Sequence, residues 1–537
     1  MTTATGNGGS PGGRPRPAKT LMVQGTASDV GKSVLAAALC RVFVQDGRSV
    51  APFKSQNMSL NSYVTPDGKE IGRAQGMQAD ACGIPATTDM NPILLKPTGE
   101  RASQVVVHGK PYRTMDAFGY RNDYLDEAGA IAVEALKRLR ADYDVVVLEG
   151  AGSPAEINLK DRDIVNMRMA AWAEAPVLLV ADIDRGGVFA AVVGTLELLE
   201  PEERGRVQGI LINKFRGDPA LLRPGLDWLE RKTGKPVLGV IPYLDDLKLE
   251  AEDSLSYRRA EPQGGVEDDR LDIAVVKYPR WSNFTDIDPL FAEPDVSVRY
   301  VTAPEQFGDP DAVLLPGSKN TAEDLLYLRA KGLDRLLLGH LERGGWLAGI
   351  CGGFQMLGER LLDPAGVESA NAVLPGLGVF PMETVYAAEK KTERVAGFAA
   401  GWSVAKRGSS SAVGSRNIAI EGYEIHMGKT SFTGETEHPH LVRDMREPEA
   451  EAALRPEGAR TSDGKAWGTY VHGILHNDAY RRDWLNAIRR DKGWEPRKGE
   501  LTFNALREAE FDRLADHFRQ HADMKRIYRI LEQGMEG

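Results

Sequence analysis

Short apolar runs that end in small or polar residues recur through the first half of the chain, each followed by a stretch with helical spacing. The runs are Leu21–Val23, the centre of Ser49–Lys54, Val145–Leu148, Pro176–Ile183, Val207–Ile212 and Val237–Ile241, and most lack the alternation of a half-exposed strand. Strands buried on both faces read this way, as in parallel sheets. Helical spacing fills the intervals at Val34–Leu39, Ile71–Cys82, Tyr124–Leu139 and Val188–Leu199. The alternation predicts an α/β fold: a doubly wound, mostly parallel sheet with its ligands along the carboxyl edge. Asn91–Pro97 and Gln104–Val107 read as extended, and the polar segment Ser55–Gly68 as a loop facing a site.

From Tyr257 to Arg270 the chain turns polar and carries Gly and Pro, which predicts a linker. A second α/β pattern starts at Leu271 and continues through Val296–Val301, Ala312–Leu315 and Trp346–Ile350. Glu383 to Arg460 is richer in turns and predicts mixed or antiparallel strands, with a mobile Ser-rich loop at Arg407–Ser415. The expected plan is a disordered tail (1–19), an N-terminal domain (20–256), a linker (257–270), a second domain (271–490) and a helical extension (491–537) whose Phe511, Leu514, Phe518 and Ile527 pack on the body.

Composition narrows the function. The 537 residues carry a formal net charge of -10, which weighs against nucleic acid or an anionic membrane as partner. No apolar run reaches the roughly 18 residues of a membrane span, and the Gly/Pro-rich start lacks the apolar core of a signal peptide. Cys40, Cys82 and Cys351 are odd in number and far apart, so they suggest neither a disulfide framework nor a zinc site, and the expected compartment is the cytoplasm.

The first candidate chemistry lies at Gly25–Ser33, Gly-Thr-Ala-Ser-Asp-Val-Gly-Lys-Ser, between an apolar run and a helix. A strand that turns through glycines into a helix aims backbone N–H groups and the positive helix end at one point, where polyphosphate can sit. Lys32 would reach the terminal phosphates and Ser33 would hold magnesium. Five residues, Thr26 to Val30, separate Gly25 from Gly31, one more than in the common pattern. Glu149 ends an apolar strand and is the second metal candidate, favoured over the plainer reading of an acid that caps the next segment. Asp182 and Asp184 end the following strand, and Asn213-Lys214 the one after it.

The second candidate is Gly349-Ile-Cys-Gly-Gly-Phe-Gln355, a strand, sharp turn and helix with Cys351 at the apex. Small neighbours suit the strained turn of a nucleophile elbow, and a helix N-terminus favours thiolate. His472, at the end of the predicted strand Gly468-Thr-Tyr-Val-His472, is the best base among nine histidines. Backbone N–H groups of Gly352 and of Gly317 or Ser318 are the candidate oxyanion donors. His426 reads either as a satisfied structural histidine or as part of a substrate pocket.

The elbow with Gly468–Gly473 resembles a class I glutamine amidotransferase domain, and Gly25–Ser33 resembles the dethiobiotin synthetase type of phosphate loop. In this order they are similar to the cobyric acid synthase family, glutamine-dependent corrinoid amidases of cobalamin biosynthesis. Further matching stretches are Pro52–Met58, Gly72–Gln75, Met90–Pro97, Glu149–Leu159 and Asp182–Phe189. The resemblance implies ATP at Gly25, Thr26, Asp29, Val30, Gly31, Lys32, Ser33 and Asn213, and magnesium at Ser33, Glu149 and Asp80. It implies a substrate or acyl-phosphate side at Lys54, Gln56, Asn57, Asn158, Asp182 and Asp184. The implied reaction is amidation of the b, d, e and g carboxylates of adenosylcobyrinic acid a,c-diamide, with L-glutamine as nitrogen donor; the oligomeric state stays open, a homodimer included. Many class I domains place a glutamate two residues beyond the catalytic histidine. Here that position is Ile474, so the sequence names no residue to orient His472.

Two other readings compete. Cobyrinic acid a,c-diamide synthase has the same two-domain plan, but Asn57-Met58-Ser59 and Asp182–Gly187 favour the cobyric acid type. A partitioning-type switch ATPase carries an early lysine in its loop; that position is Ala27, and a switch has no use for Cys351.

Overall fold

The computed structural model describes residues 17–97, 102–116, 124–160, 163–245, 247–249, 269–369, 371–402, 417–447 and 453–535. The N-terminal sheet runs, in spatial order, Val237–Pro242, Val207–Phe215, Val177–Asp182, Lys19–Gly25, Val145–Glu149 and Val50–Phe53, every pair parallel. Its central strands are buried on both faces, so the continuous apolar runs became strands as expected. One strand is longer than predicted: Asn213 pairs with Asp182 and Phe215 with Pro242, so Asn213 sits within the ladder. Lys19, assigned to the tail by the sequence, opens the first strand, and Ala18 is buried with its N–H on the Arg140 carbonyl. Residues 1–16, most of the expected linker (257–268) and the Ser-rich Arg407–Ser415 lie outside the described residues.

A smaller sheet, Gln56–Met58, Ile93–Pro97, Ala102–Val107 and Lys110–Asp116, and the hairpin Ser62–Val64/Glu70–Gly72 are inserted after the last strand of that edge. The second domain has a sheet ordered Val296–Val301, Leu271–Val276, Ala312–Leu315, Trp346–Ile350, Ala466–Thr469 and Ala459–Arg460. Its first five strands are parallel and only the last is antiparallel. The turn-rich region forms a mainly antiparallel sheet around the long strands Met382–Ala400 and Asn417–Phe432.

The helical extension returns to the first domain. Helices Phe503–His521 and Met524–Gln533 bury Phe511, Leu514, Phe518, Ile527 and Leu531 against Leu35, Leu39 and Phe43 of the helix that follows the phosphate loop. Gly239 is needed where they cross, since a Cβ there would lie 2.6 Å from the His521 carbonyl oxygen.

Candidate active site

The phosphate loop leaves the strand at Gly25 and enters helix Lys32–Gln45 through Gly31, at φ 99°. Glycine is required twice over at Gly31: the dihedral is left-handed, and a Cβ would lie 2.3 Å from Asn213 Nδ2. Asn213 donates Nδ2–H to the Val30 carbonyl at 2.8 Å, and Lys214 donates to the Asp29 carbonyl and to Asp182. The neighbouring parallel strand therefore clamps the loop from the side. Lys32 folds over it, donating to the carbonyls of Ala27 (2.9 Å) and Gly152 (3.1 Å).

Glu149 is almost fully buried, yet its carboxylate is surrounded by donors. Oε1 accepts from Ser33 Oγ at 2.7 Å and Lys54 Nζ at 2.9 Å; Oε2 accepts from Gln78 at 2.6 Å and Gln75 at 3.4 Å. A hydroxyl and a carboxylate this close, at the first turn of the loop helix, form an oxygen donor set of the kind magnesium uses with phosphates. Asp80 does not join them. Gln75 and Gln78 are one helical turn apart and face Glu149, whereas Asp80, two residues on, points to the other side, where Tyr63 and Arg507 bind its carboxylate at 3.0 and 2.9 Å.

The expected substrate-side residues scatter more. Lys54 is bound to Glu149, and Asn57 donates to Gln75 at 3.0 Å, so both lie beside the metal candidate. Asp182 accepts from Lys214 at 2.9 Å and from the Asp184 N–H at 2.8 Å, while Asp184 pairs with Arg216. Gln56 is half-buried and Asn158 exposed.

In the second domain Cys351 sits at φ 52°, ψ -109°, the strained apex that the flanking glycines permit. A Cβ on Gly353 would lie 2.0 Å from the Leu315 carbonyl oxygen, and one on Gly352 would lie 2.9 Å from the Ser318 backbone nitrogen. The elbow thus packs directly on the Gly317–Ser318 loop, which brings the three candidate oxyanion positions together. Ser318 is fixed by donating Oγ–H to Asp324 at 2.5 Å. The helix after Cys351 spans only Gly352–Met356. One turn sums few peptide dipoles, so the expected support from the helix end is small and the thiol depends on its side-chain neighbours.

Those neighbours centre on His472. Asp286 Oδ2 lies 2.6 Å from His472 Nδ1, and Asp286 Oδ1 accepts the Gly473 N–H at 2.7 Å. One carboxylate therefore holds both the ring and the backbone beside it. Burial alone would lower the imidazole, but the charges of Asp286 and Cys351 raise it to about 10. Tyr423 stacks on the ring at 5.2 Å, and Cys351 Sγ lies 3.6 Å from the Ile425 carbonyl oxygen. Gln355 ties the elbow helix to the long strand through the Met427 carbonyl at 2.9 Å. His426 is next to Ile425, stacked on Tyr470 at 3.9 Å, with its Nε2 3.5 Å from Glu424 Oε2. Asp286, Gln78 and Lys214 carry no spacing signal in the sequence; Gln75 lies within a matching stretch but without a role attached.

Comparison with known proteins agrees with both halves. The family described as CobQ/CobB/MinD/ParA nucleotide binding domain matches residues 21–256, and the CobB/CobQ-like glutamine amidotransferase domain matches residues 272–480. The chain is similar to cobyric acid synthase of Geobacillus kaustophilus, 52% identical over 96% of this chain and 97% of that protein. It is 49% identical to that of Desulforamulus reducens, over 96% of this chain and 99% of that protein, and 48% identical to that of Dehalococcoides mccartyi strain CBDB1, over 96% and 100%. Identity near one half over almost the whole of both chains, with the phosphate loop and the cysteine elbow each inside its matched domain, shows that this chain belongs to the cobyric acid synthase family, the ATP-driven, glutamine-dependent amidating enzymes of cobalamin synthesis.

Proposed function

We propose that the chain amidates the b, d, e and g carboxylates of adenosylcobyrinic acid a,c-diamide in the cytoplasm, using ATP at Gly25–Ser33 and ammonia released from L-glutamine at Cys351. The observation that carries this reading is the pairing, in one chain, of the Ser33–Glu149 phosphate-side site with the Cys351–His472–Asp286 constellation. A carboxylate does not condense with ammonia unaided in water. Transfer of the terminal phosphoryl group of ATP to a corrinoid carboxylate gives an acyl phosphate, which ammonia attacks, expelling phosphate. In such transfers the protein positions and neutralises charge. Lys32 would neutralise the transferring group, with the backbone N–H groups of the loop around it. Magnesium, held by Ser33 and Glu149, would neutralise phosphate charge there.

At the other site Cys351 gives its proton to His472 and its thiolate attacks the glutamine amide carbon. His472 returns the proton to the departing nitrogen, so ammonia leaves and a thioester remains on Sγ. Water, deprotonated by His472, then releases glutamate. Backbone N–H groups of Gly352 and of Gly317 or Ser318 are the donors for the oxyanion in both steps.

The test is amidation of the a,c-diamide by purified protein with ATP and magnesium, comparing glutamine with ammonia, for wild type and Cys351→Ala. The variant should lose glutamine-dependent amidation and keep ammonia-dependent amidation; loss of both in a folded variant overturns the division of labour. Turnover of cobyrinic acid in place of its a,c-diamide would identify the competing diamide synthase activity.

A further inference from the structure

Asn283 touches both domains. Its Oδ1 accepts the backbone N–H of Ser62 at 3.0 Å, and its Nδ2 lies 3.4 Å from His472 Nε2. A backbone N–H can only donate, so Ser62 fixes which end of the amide is oxygen and leaves the NH2 end facing the imidazole. Because Asp286 occupies Nδ1, Nε2 is the nitrogen left to receive the Cys351 proton. A neutral imidazole can accept the Asn283 N–H there. An imidazolium cannot, since two donors would then face each other. Held in this way, Asn283 works against the imidazolium–thiolate pair that Asp286 promotes.

Ser62 belongs to the ATP-binding domain, in the hairpin Ser62–Val64/Glu70–Gly72, whose last residue leads directly into helix Arg73–Ala81. That helix carries Gln75 and Gln78 on the Glu149 carboxylate. The hairpin has no freedom to slide over it: a Cβ on Gly76 would lie 2.1 Å from the Tyr63 ring. Glu70, at the other side of the hairpin, is buried between Lys96 of its own domain and Lys390 of the second, each at 2.5 Å. Helix Arg73–Ala81 and the hairpin that carries Ser62 therefore form a single packed unit that reaches from Glu149 to Asn283.

We propose that Asn283 is a positioning residue that makes glutamine hydrolysis depend on the ATP-binding domain. While Ser62 holds its oxygen, the amide turns N–H to His472. When the hairpin shifts, the amide turns over and presents Oδ1, which accepts Nε2–H and stabilises the imidazolium formed as Cys351 gives up its proton. The proton moves from Sγ to Nε2 and no other group changes charge. This coupling rests on the amidation reading above.

The test uses full-length Asn283→Gly and Asn283→Asp, measuring glutamate release with and without ATP, magnesium and the a,c-diamide, and ammonia-dependent amidation alongside. Asn283 has φ 51° and ψ 43°, a left-handed conformation that Gly adopts freely and Asp tolerates, so the backbone is spared. Gly removes the N–H; Asp keeps an acceptor for Ser62 but turns a second acceptor toward Nε2. Both variants should raise glutamate release in the absence of ATP and corrinoid by about fivefold or more, and reduce the stimulation by those ligands to match. Unchanged or lower unstimulated release in both overturns the proposal. So does Asp behaving as wild type while Gly loses hydrolysis, because Asn283 would then be only an anchor for Ser62. If wild type fails to amidate with ammonia, the amidation reading falls, while the comparison of unstimulated glutamate release still decides the role of Asn283.

Discussion

Asp286 Oδ2 lies 2.6 Å from His472 Nδ1 although the two residues are 186 positions apart in the chain. The short contact fixes the proton on Nδ1 and leaves Nε2 for the thiol. Asp286→Asn keeps the shape but can present N–H to Nδ1, which selects the wrong tautomer. Glutamine-dependent amidation should fall roughly a hundred- to ten-thousand-fold while ammonia-dependent amidation is retained. Parallel kcat measurements with glutamine and with ammonium chloride check this, and an equal loss with both donors would contradict the assigned role.

His472 also sets a pH dependence of stability. Burial pushes the imidazole down, but Asp286 and Cys351 raise it to about 10, above its ordinary value of 6.5. A raised folded-state value means that the folded protein binds the proton more tightly than the unfolded chain. The resulting stability is fully present below pH 6.5 and is lost as pH climbs through about 10. The gap in urea midpoint between wild type and His472→Gln should therefore narrow from pH 6.5 to about 10. A gap that widens over this range would be contrary to the assignment.

Lys390 closes the interdomain site around Glu70. Despite burial, which alone would raise it, the Glu70 carboxyl is held below its usual range by Lys390 and Lys96. Glu70→Gln leaves buried Lys96 and Lys390 facing one another without their shared carboxylate and should destabilise the fold by about 3–5 kcal/mol. Adding Lys390→Met to Glu70→Gln removes one of the two unpaired ammonium groups and should recover much of the loss. Guanidinium unfolding of the single and double variants measures both, and a double variant no more stable than the single one would show that the pair does not interact as described.

Gly31 separates the two chemistries from the opposite direction to Cys351. Its φ of 99° and the 2.3 Å approach of Asn213 Nδ2 leave no place for a methyl group. Gly31→Ala should abolish ATP-dependent amidation with glutamine and with ammonia alike, yet leave the Cys351 domain able to release glutamate without ATP. Radiolabelled ATP binding and glutamate release report the two effects separately; retention of tight ATP binding would contradict the loop geometry.

The phosphate loop and the cysteine elbow were legible because each is a continuous strand, turn and helix whose glycines and reactive residue are neighbours in the chain. Local sterics there dictate the backbone, as Gly31 and Gly353 show. The parallel sheet order was foreseen only as a class, since continuous apolar runs report burial on both faces but not which strands adjoin. Helix phase decided between Gln78 and Asp80: both lie on the same short segment, and only the way the helix packs turns the glutamine, not the acid, to Glu149. Nor did the spacing around His472 reveal Asp286, because the glutamate expected nearby in sequence is Ile474 and its function is taken over by the 3-10 turn Phe284–Ile287 near the start of the second domain.

The sequence by itself thus determined the two reactive motifs, their order and the alternating α/β architecture, all of which depend on residues within a turn or two of one another. The tertiary structure alone decided what orients His472, what surrounds Glu149 and how Ser62 reaches Asn283. Those contacts join segments 71 to 221 residues apart, and they exist only because buried strands and helices, once packed, hold distant side chains at hydrogen-bond distance.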